Sequence, residues 1–327
     1  MMQRFKPLFI TAFILLHAAA AIAQWDAPLS QYWAAKTYYN PAFAGETAKG
    51  RASAFYRYEW SGIENAPKKI IVTADMPLSF LNRKHGVGMV SATENLGDLR
   101  NAMLAVQYAY THKTSAGEWN IGVRAGVYDL KYDAGSIRLL ADTIAGNGKP
   151  ALEANTAAEK IFDLHAGISY TGRRFFAGLS VMHLNRPAFY ASPDSLSSAG
   201  VTGDSARAVI PRTFNLMAGY NIILPNPLYE LQPMVWVLAG LDETQVQATL
   251  RAVYKKKLSA GASWRSRNGY AFFAGAVIKD IEMGYAYEWH TAGIGRESQG
   301  SHEIGIRYRF DVNAKEQRPA QKSIRIL

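Results

Sequence analysis

Hydrophobic and polar residues alternate along most of the chain from Arg51 onward. In residues 281–290 every odd position is apolar and every even position is polar, charged or small, and segments 118–127, 246–254 and 303–310 follow the same two-residue period. Successive side chains of a β-strand point to opposite faces, so each segment has an apolar face and a polar or small face. Because turn residues separate the segments, the pattern predicts an antiparallel all-β architecture.

Three features favour a transmembrane outer-membrane β-barrel over a soluble β-sandwich, which stays open as the alternative. The segments are about 9–13 residues long, longer than the roughly 5–6 residues usual in globular sheets. Charged residues stand in mid-strand on the polar face, as a polar lumen allows: Arg124, Arg251, Glu288 and Arg307. Aromatic residues concentrate near the segment ends, as in membrane girdles: Tyr108, Tyr110, Trp119, Tyr285, Tyr287, Trp289, Tyr308 and Phe310.

The pattern predicts about fourteen strands. They begin near Arg51, Lys68, His85, Leu99, Glu118, Lys160, Arg173, Ala208, Leu228, Gln245, Leu258, Gly269, Ile281 and Ser301. An even number leaves both termini on the periplasmic side, with the long connections at 133–159 and 185–206 facing outward. The acidic residues of those connections could hold calcium, but solvated charges are the favoured interpretation because ordered ligand spacing is missing: Asp133, Asp142, Glu153 and Asp194.

The first 23 residues have the features of a secretory signal peptide. Arg4 and Lys6 precede an apolar stretch at 8–22, and Ala21-Ile22-Ala23 forms a small-residue cleavage site before Gln24. We therefore expect export through the Sec route and a location in the outer membrane. The predicted organisation is a signal peptide at 1–23, a plug or docking segment at 24–50, a β-barrel at 51–312 and a basic tail at 313–327.

Composition removes several classes of function. The 327-residue chain is 49% hydrophobic, 12% aromatic and 19% charged, and it contains no Cys, which excludes disulfide scaffolds, Cys-ligated metals, thiol nucleophiles and lipoprotein anchors. Its formal charge of +10 suits nucleic acid, anionic lipid or an acidic partner. Export removes nucleic acid from this set.

The sequence offers little catalytic chemistry. The seven His residues include no pair at a metal-ligand spacing such as His-x-x-x-His, and we predict no metal site and no cofactor. Asp163, His165 and Ser169 share one strand face, which would suit a hydrolase, but a polar cluster in the lumen is the favoured interpretation. Asp75 and the Arg57/Glu59 pair are predicted to form polar contacts in the lumen. We therefore expect a protein that is not an enzyme.

The segment before the first strand is rich in aromatic residues that need burial, against either the barrel lumen or a periplasmic partner. It contains Ser30-Gln31-Tyr32 and Asn40-Pro41-Ala42-Phe43-Ala44-Gly45, where Asn-Pro favours a turn and glycine permits a positive φ. Together with Arg57-Tyr58-Glu59-Trp60, Asp75-Met76-Pro77 and the strand at 300–310, these motifs resemble the PorP/SprF family of type IX secretion system outer-membrane proteins.

The resemblance implies a non-catalytic outer-membrane component of the type IX secretion and gliding machinery. Such a protein anchors the periplasmic ring complex or assists secretion and surface attachment of an adhesin. The implied partners are the periplasmic ring lipoprotein and ring protein of the motor, or a large secreted adhesin, besides outer-membrane lipids. The positions expected to form the plug or contact the partner are Ser30, Gln31, Tyr32, Asn40, Pro41, Gly45, Arg57 and Trp60. The alternative is a diffusion channel or hydrophobic-solute transporter, because about fourteen strands enclose a wide lumen unless something fills it.

Overall fold

The computed structural model describes residues 28–97, 99–132, 157–190, 207–240 and 244–312. The predicted signal peptide, the C-terminal tail and the candidate calcium ligands lie outside these residues. The described strands, numbered in chain order, are β1 Gly50–Tyr58, β2 Lys68–Phe80, β3 Arg83–Leu96, β4 Leu99–Lys113, β5 Gly117–Tyr132, β6 Ala157–Gly172, β7 Phe175–Met182, β8 Ala188–Tyr190, β9 Arg207–Val209, β10 Thr213–Tyr220, β11 Ile222–Ile223, β12 Tyr229–Ala239, β13 Thr244–Tyr254, β14 Leu258–Arg265, β15 Gly269–Ile278, β16 Ile281–His290 and β17 Ser301–Phe310.

Fourteen of these strands close into an antiparallel barrel, which confirms the predicted fold. β1 pairs with β17, and β10 pairs with both β7 and β12, so the ladder has no open edge. The two-residue β11 adds to β12, and β8 with β9 forms a separate hairpin. The strand predicted from Ala208 begins instead at Thr213, because Pro211 has no amide hydrogen with which to continue a ladder.

The two faces of the barrel wall have opposite chemistry. Outward side chains of β4 and β5 are apolar and exposed, such as Val106 and Ile121, whereas inward side chains such as Asn120, Arg124 and Gln107 are buried. An apolar exterior around a polar interior is the pattern of a membrane-spanning barrel. Among the described residues, no helix is both long and apolar enough to span a membrane.

Five turns of two or three residues join β2–β3, β4–β5, β6–β7, β13–β14 and β15–β16 at one end of the barrel. The long connections, from β5 to β6 and from β7 to β10, leave the wall at the opposite end. In outer-membrane barrels the long loops face outward, so we call the end with the five short turns the periplasmic end and the opposite one the outer end. The chain enters β1 and leaves β17 at the periplasmic end, as expected for an even number of strands.

Residues 28–49, called the N-terminal segment from here on, lie inside the barrel. They form three short helical turns, at Tyr32–Ala34, Lys36–Tyr39 and Pro41–Phe43. Aromatic rings of the segment pack on rings of the wall: Trp236 lies 5.4 Å from Tyr32 and 4.7 Å from Tyr39 between ring centroids. The hydrophobic core of this protein is therefore the interface between the segment and the wall.

Candidate functional site

The outer part of the N-terminal segment is held by a buried carboxylate. The backbone amides of Ser30 and Gln31 donate to the two oxygens of Glu303, at 2.7 and 2.9 Å. The Gln31 side chain lies over Gly284, where an added Cβ would come within 2.1 Å of its Oε1. Both residues were predicted as contact positions, and both contact the wall of this chain itself.

Arg57 links the segment to two strands of the wall. Its guanidinium donates to Ser30 Oγ at 3.2 Å and to Glu288 Oε2 at 2.7 Å, and it lies 3.5 Å from Glu303. Arg265 donates to the other Glu288 oxygen at 2.5 Å. Two arginines thus face two carboxylates in a fully buried cluster, and such a cluster is stable only while its charges and hydrogen bonds remain matched.

The middle of the segment is bound by Arg124. Its guanidinium donates to the carbonyl oxygens of Thr37 and Tyr38 and to Gln107 Oε1. Both carbonyls lie at the end of the short helical turn, where backbone acceptors lack partners within the helix. This mid-strand arginine, which the sequence assigned to the lumen, therefore binds the backbone of the N-terminal segment.

Asn40 connects the motif Asn40–Gly45 to the wall and stabilises its turn. Its Oδ1 accepts from the Ala42 amide at 2.9 Å, and its Nδ2 donates to the carbonyl oxygens of Ile168 and Leu179 at 3.0 and 3.2 Å. Ile168 and Leu179 are register partners on β6 and β7. One side chain therefore fixes the turn before Pro41 and bridges two neighbouring strands.

Four inward-facing glycines of the wall leave room for this motif. An added Cβ would come within 1.9 Å of the Ala44 oxygen at Gly86, 2.3 Å of the Ala42 nitrogen at Gly122, 2.2 Å of Asn40 Oδ1 at Gly167 and 2.7 Å of the Phe43 ring at Gly178. These positions could not be recognised from the sequence, because a glycine on the polar face of a strand does not differ in pattern from any other small lumen residue. We call them the glycine seat.

The periplasmic part of the segment ends in a second charged cluster. The Gly45 amide, at a φ of 63°, donates to Asp75 Oδ2 at 2.9 Å, and Arg51 donates to the same oxygen at 2.9 Å. Glu46 lies 2.6 Å from Lys36 and 2.8 Å from Arg51. Burial alone would raise the pKa of Glu46, but these two cations outweigh it and lower that pKa to about 2.

Seven of the eight predicted positions meet in the lumen, but Trp60 does not. Trp60 follows β1 at the outer end, is half-buried, has a φ of 50° and donates its backbone amide to Ser301 Oγ at 3.0 Å. Tyr32 and Pro41 are buried within the segment. The predicted Arg57/Glu59 and Asp75 polar contacts are also present, the former at 3.3 Å.

The residues considered for a hydrolase do not form a triad. His165 Nε2 lies 2.6 Å from Asp163 Oδ2, but Ser169 is four residues further along β6. Its hydroxyl donates to the Ala42 oxygen at 3.2 Å and accepts from Asn120 Nδ2 at 3.1 Å. Since strand residues advance by about 3.3 Å each, His165 cannot activate Ser169. His183, distant in sequence, lies beside His165 instead.

Solved structures of similar shape are outer-membrane proteins of low sequence identity. A FadL homologue of Pseudomonas aeruginosa gives a TM-score of 0.49 at 10% identity, over 86% of this chain and 94% of that chain. The toluene transporter TodX of P. putida gives 0.45 at 10%, over 84% and 93%, and Omp33 of Acinetobacter baumannii gives 0.43 at 9%, over 82% and 99%. TM-scores below 0.5 at about 10% identity do not support a conclusion about function.

The sequence itself identifies the family. No curated protein matches the chain. The family model for the type IX secretion system membrane protein PorP/SprF matches residues 21–308, a range that includes the whole N-terminal segment and nearly the whole barrel. The chain therefore belongs to the PorP/SprF family and is an outer-membrane β-barrel component of the type IX secretion system.

Proposed function

We propose that this protein is a non-catalytic anchor for the secretion machinery, and that its lumen is permanently plugged by the N-terminal segment. The observation that carries the proposal is the extent of fixation inside the lumen. Charged side chains hold the segment near Ser30, at Thr37 and Tyr38, and near Gly45, and aromatic rings pack between these points. A segment held in this way fills space that a diffusion channel would need.

A buried segment leaves the docking of a periplasmic partner to another surface. The five periplasmic turns and the strand ends beside them supply one, because at each of the five there is at least one exposed basic residue: Arg83, Lys113, Arg173, Arg174, Lys255, Lys256, Lys257 and Lys279. We call these eight residues the basic rim. A surface of this charge favours an acidic partner.

Backbone conformation supports a role for this charge. Lys255 and Lys256 have φ values of 51° and 55°, and the Lys257 amide donates to the Tyr254 oxygen at 2.9 Å. Positive φ at both central residues is the pattern of a type I′ turn, in which Asn-Gly is strongly preferred. Lysine is conformationally unfavourable at both positions. We therefore infer that these two residues are present for their positive charge.

The proposed partners are the periplasmic ring lipoprotein and ring protein of the type IX motor, with a large secreted adhesin as the other candidate. The test is affinity purification of the tagged protein from detergent-solubilised outer membrane, with co-purifying proteins identified by mass spectrometry. Motor-ring proteins support an anchor of the shared machine, and a single large surface protein supports an adhesin anchor. If neither kind of protein co-purifies, the proposal is contradicted and the channel hypothesis is favoured.

A further inference from the structure

Asp163, His165 and His183 form a buried cluster on β6 and just beyond the end of β7. Asp163 Oδ2 lies 2.6 Å from His165 Nε2 and 2.9 Å from His183 Nδ1, and all three side chains are at most 1% exposed. One ligand atom from each of the three residues lies within 4.8 Å of the others. Two imidazoles and a carboxylate are a common donor set for zinc and related divalent metals.

Two atoms of the cluster are buried without a hydrogen-bond partner among the described residues: Asp163 Oδ1 and His165 Nδ1. A buried carboxylate oxygen or ring nitrogen left unpaired is destabilising. Cation binding would give the carboxylate oxygen a partner, and His165 Nδ1 would take the ring proton. The carboxylate can turn either oxygen to the metal. The His165 proton can move from Nε2 to Nδ1 and the His183 proton from Nδ1 to Nε2, so that the lone pairs of His165 Nε2 and His183 Nδ1 become ligands.

The geometry needs only a small adjustment to receive an ion. Zinc lies about 2.0–2.2 Å from such nitrogen and oxygen ligands, so tetrahedral ligand atoms are separated by roughly 3.3 Å. The observed 2.6 and 2.9 Å separations are those of hydrogen bonds in which protons occupy the place of the metal. An outward shift of less than about 1 Å converts one arrangement into the other.

Arg124, the register partner of His165 on β5, is the cationic neighbour that opposes an ion here. Its guanidinium donates to Thr37 O, Tyr38 O and Gln107 Oε1, so those hydrogen bonds direct it toward the N-terminal segment. The Asp163 carboxylate is the compensating charge. His183 follows the last residue of β7, where the chain leaves the wall at the outer end.

We propose that Asp163, His165 and His183 form a structural site for a divalent transition metal of the zinc class. A bound ion would tie β6 to the outer end of β7, at the base of the connection to β10. This proposal is independent of the anchor function, since it concerns the outer half of the barrel wall and not the basic rim.

The test is zinc binding to the full chain, purified in detergent and stripped with a chelator. Zn²⁺ is added and the protein desalted; the metal content is then measured by mass spectrometry and affinity by calorimetry. We expect one zinc per chain, with affinity reduced at least about 100-fold by Asp163→Asn or His183→Gln. The control is His290→Gln, because His290 is equally buried but bonds Asn268 and Ser301.

A chain that retains no zinc overturns the proposal, as does binding that is unchanged in Asp163→Asn and His183→Gln. Heat-modifiable migration on gels reports whether each variant has folded. If the variants do not fold, Co²⁺ is added to the wild-type protein and its visible absorption is recorded. Bands of a nitrogen- and oxygen-ligated ion support the site, and the spectrum of free aqueous cobalt overturns it.

Discussion

The Asn40 side chain occupies the space that a side chain at position 167 would take. An added Cβ at Gly167 would come within 2.2 Å of Asn40 Oδ1, and the Asn40 amide lies directly over the pair of β6 and β7 carbonyls that it bridges. The family motif and the glycine seat are therefore two halves of one packing arrangement. The motif and the glycines can be recognised as contact residues only when both are seen together in the folded barrel.

Gly122→Ala tests this arrangement. The added methyl group would meet backbone atoms of Pro41 and Ala42 at 2.3–2.6 Å, and backbone cannot move aside as a flexible side chain does. We expect a loss of about 1–3 kcal/mol in the free energy of unfolding, measured by urea titration in detergent. Gly97→Ala is the comparison for added bulk, because its Cβ would meet nothing within 4 Å, although a φ of 57° adds some strain there. Equal losses in both variants would contradict a specific seat.

Arg57→Ala should be among the most destabilising substitutions in the barrel. It leaves Arg265, which contacts Glu288, as the one arginine of the cluster facing the two buried carboxylates of Glu288 and Glu303, and it removes a hydrogen bond to Ser30. Breaking a buried pair in this way costs about 3–5 kcal/mol. Arg100→Ala, on an exposed side chain of the wall, serves as the control. Comparable stability of the two variants would show that the buried cluster does not hold the segment.

Acid should weaken the periplasmic end of the plug through Glu46. Its pKa falls from 4.5 to about 2 on folding, so its stabilising effect is complete above about pH 4.5 and is lost as pH falls toward 2. We expect Glu46→Gln to lower stability at pH 7 and to differ progressively less from wild type below pH 4.5. Urea midpoints measured across this range provide the test, with the exposed Glu64→Gln as control. A constant gap across the range would contradict the assignment.

Substitutions in the turn at Lys255 and Lys256 distinguish an effect on stability from an effect on partner binding. Replacing both residues, as Lys255→Asn with Lys256→Gly, supplies the pair that a type I′ turn prefers and removes two positive charges. We expect unchanged or higher stability, by up to about 1 kcal/mol, together with weaker recovery of the periplasmic partner. Recovery is measured by quantitative mass spectrometry of the co-purified proteins.

A charge-matched control accompanies that experiment. Lys255, Lys256 and Lys257 are changed to Glu in one variant, and the outer-end residues Arg100, Lys160 and Arg267 are changed to Glu in the other. We expect partner recovery to fall at least about tenfold in the rim variant and to stay near wild type in the control. Equal recovery from both variants would exclude the basic rim as the docking surface and would leave the metal site untouched.

Much of the barrel could be predicted from sequence because its determinants are local. A two-residue period specifies which side chains share a face, and its interruptions mark the turns, so the fourteen strands could be counted from the pattern alone. The inward charges followed from the same period. Their partners did not, since the pairing of Ser30 with Glu303 or of Arg124 with the Thr37 carbonyl depends on how the segment lies in the closed barrel.

Other contacts could not be predicted from the sequence, because they join residues that are distant in it. His183 and Asp163 are 20 residues apart and meet through the pairing of β6 with β7, so no short spacing in the sequence indicates their contact. Trp60 was grouped with the contact positions because it belongs to the Arg57-Tyr58-Glu59-Trp60 motif, and the structure places it beyond the end of β1, at the outer end of the barrel.

Conductance of the purified full chain in planar lipid bilayers tests the central claim most directly. A lumen filled by the N-terminal segment predicts a silent membrane, with no stepwise currents beyond those of the detergent blank. The Arg57→Ala/Arg124→Ala variant, which removes two attachments of the segment, should show intermittent openings if it folds. Stable stepwise conductance of the wild-type protein, of the size expected for an open fourteen-strand barrel, would contradict the plugged anchor and establish a channel.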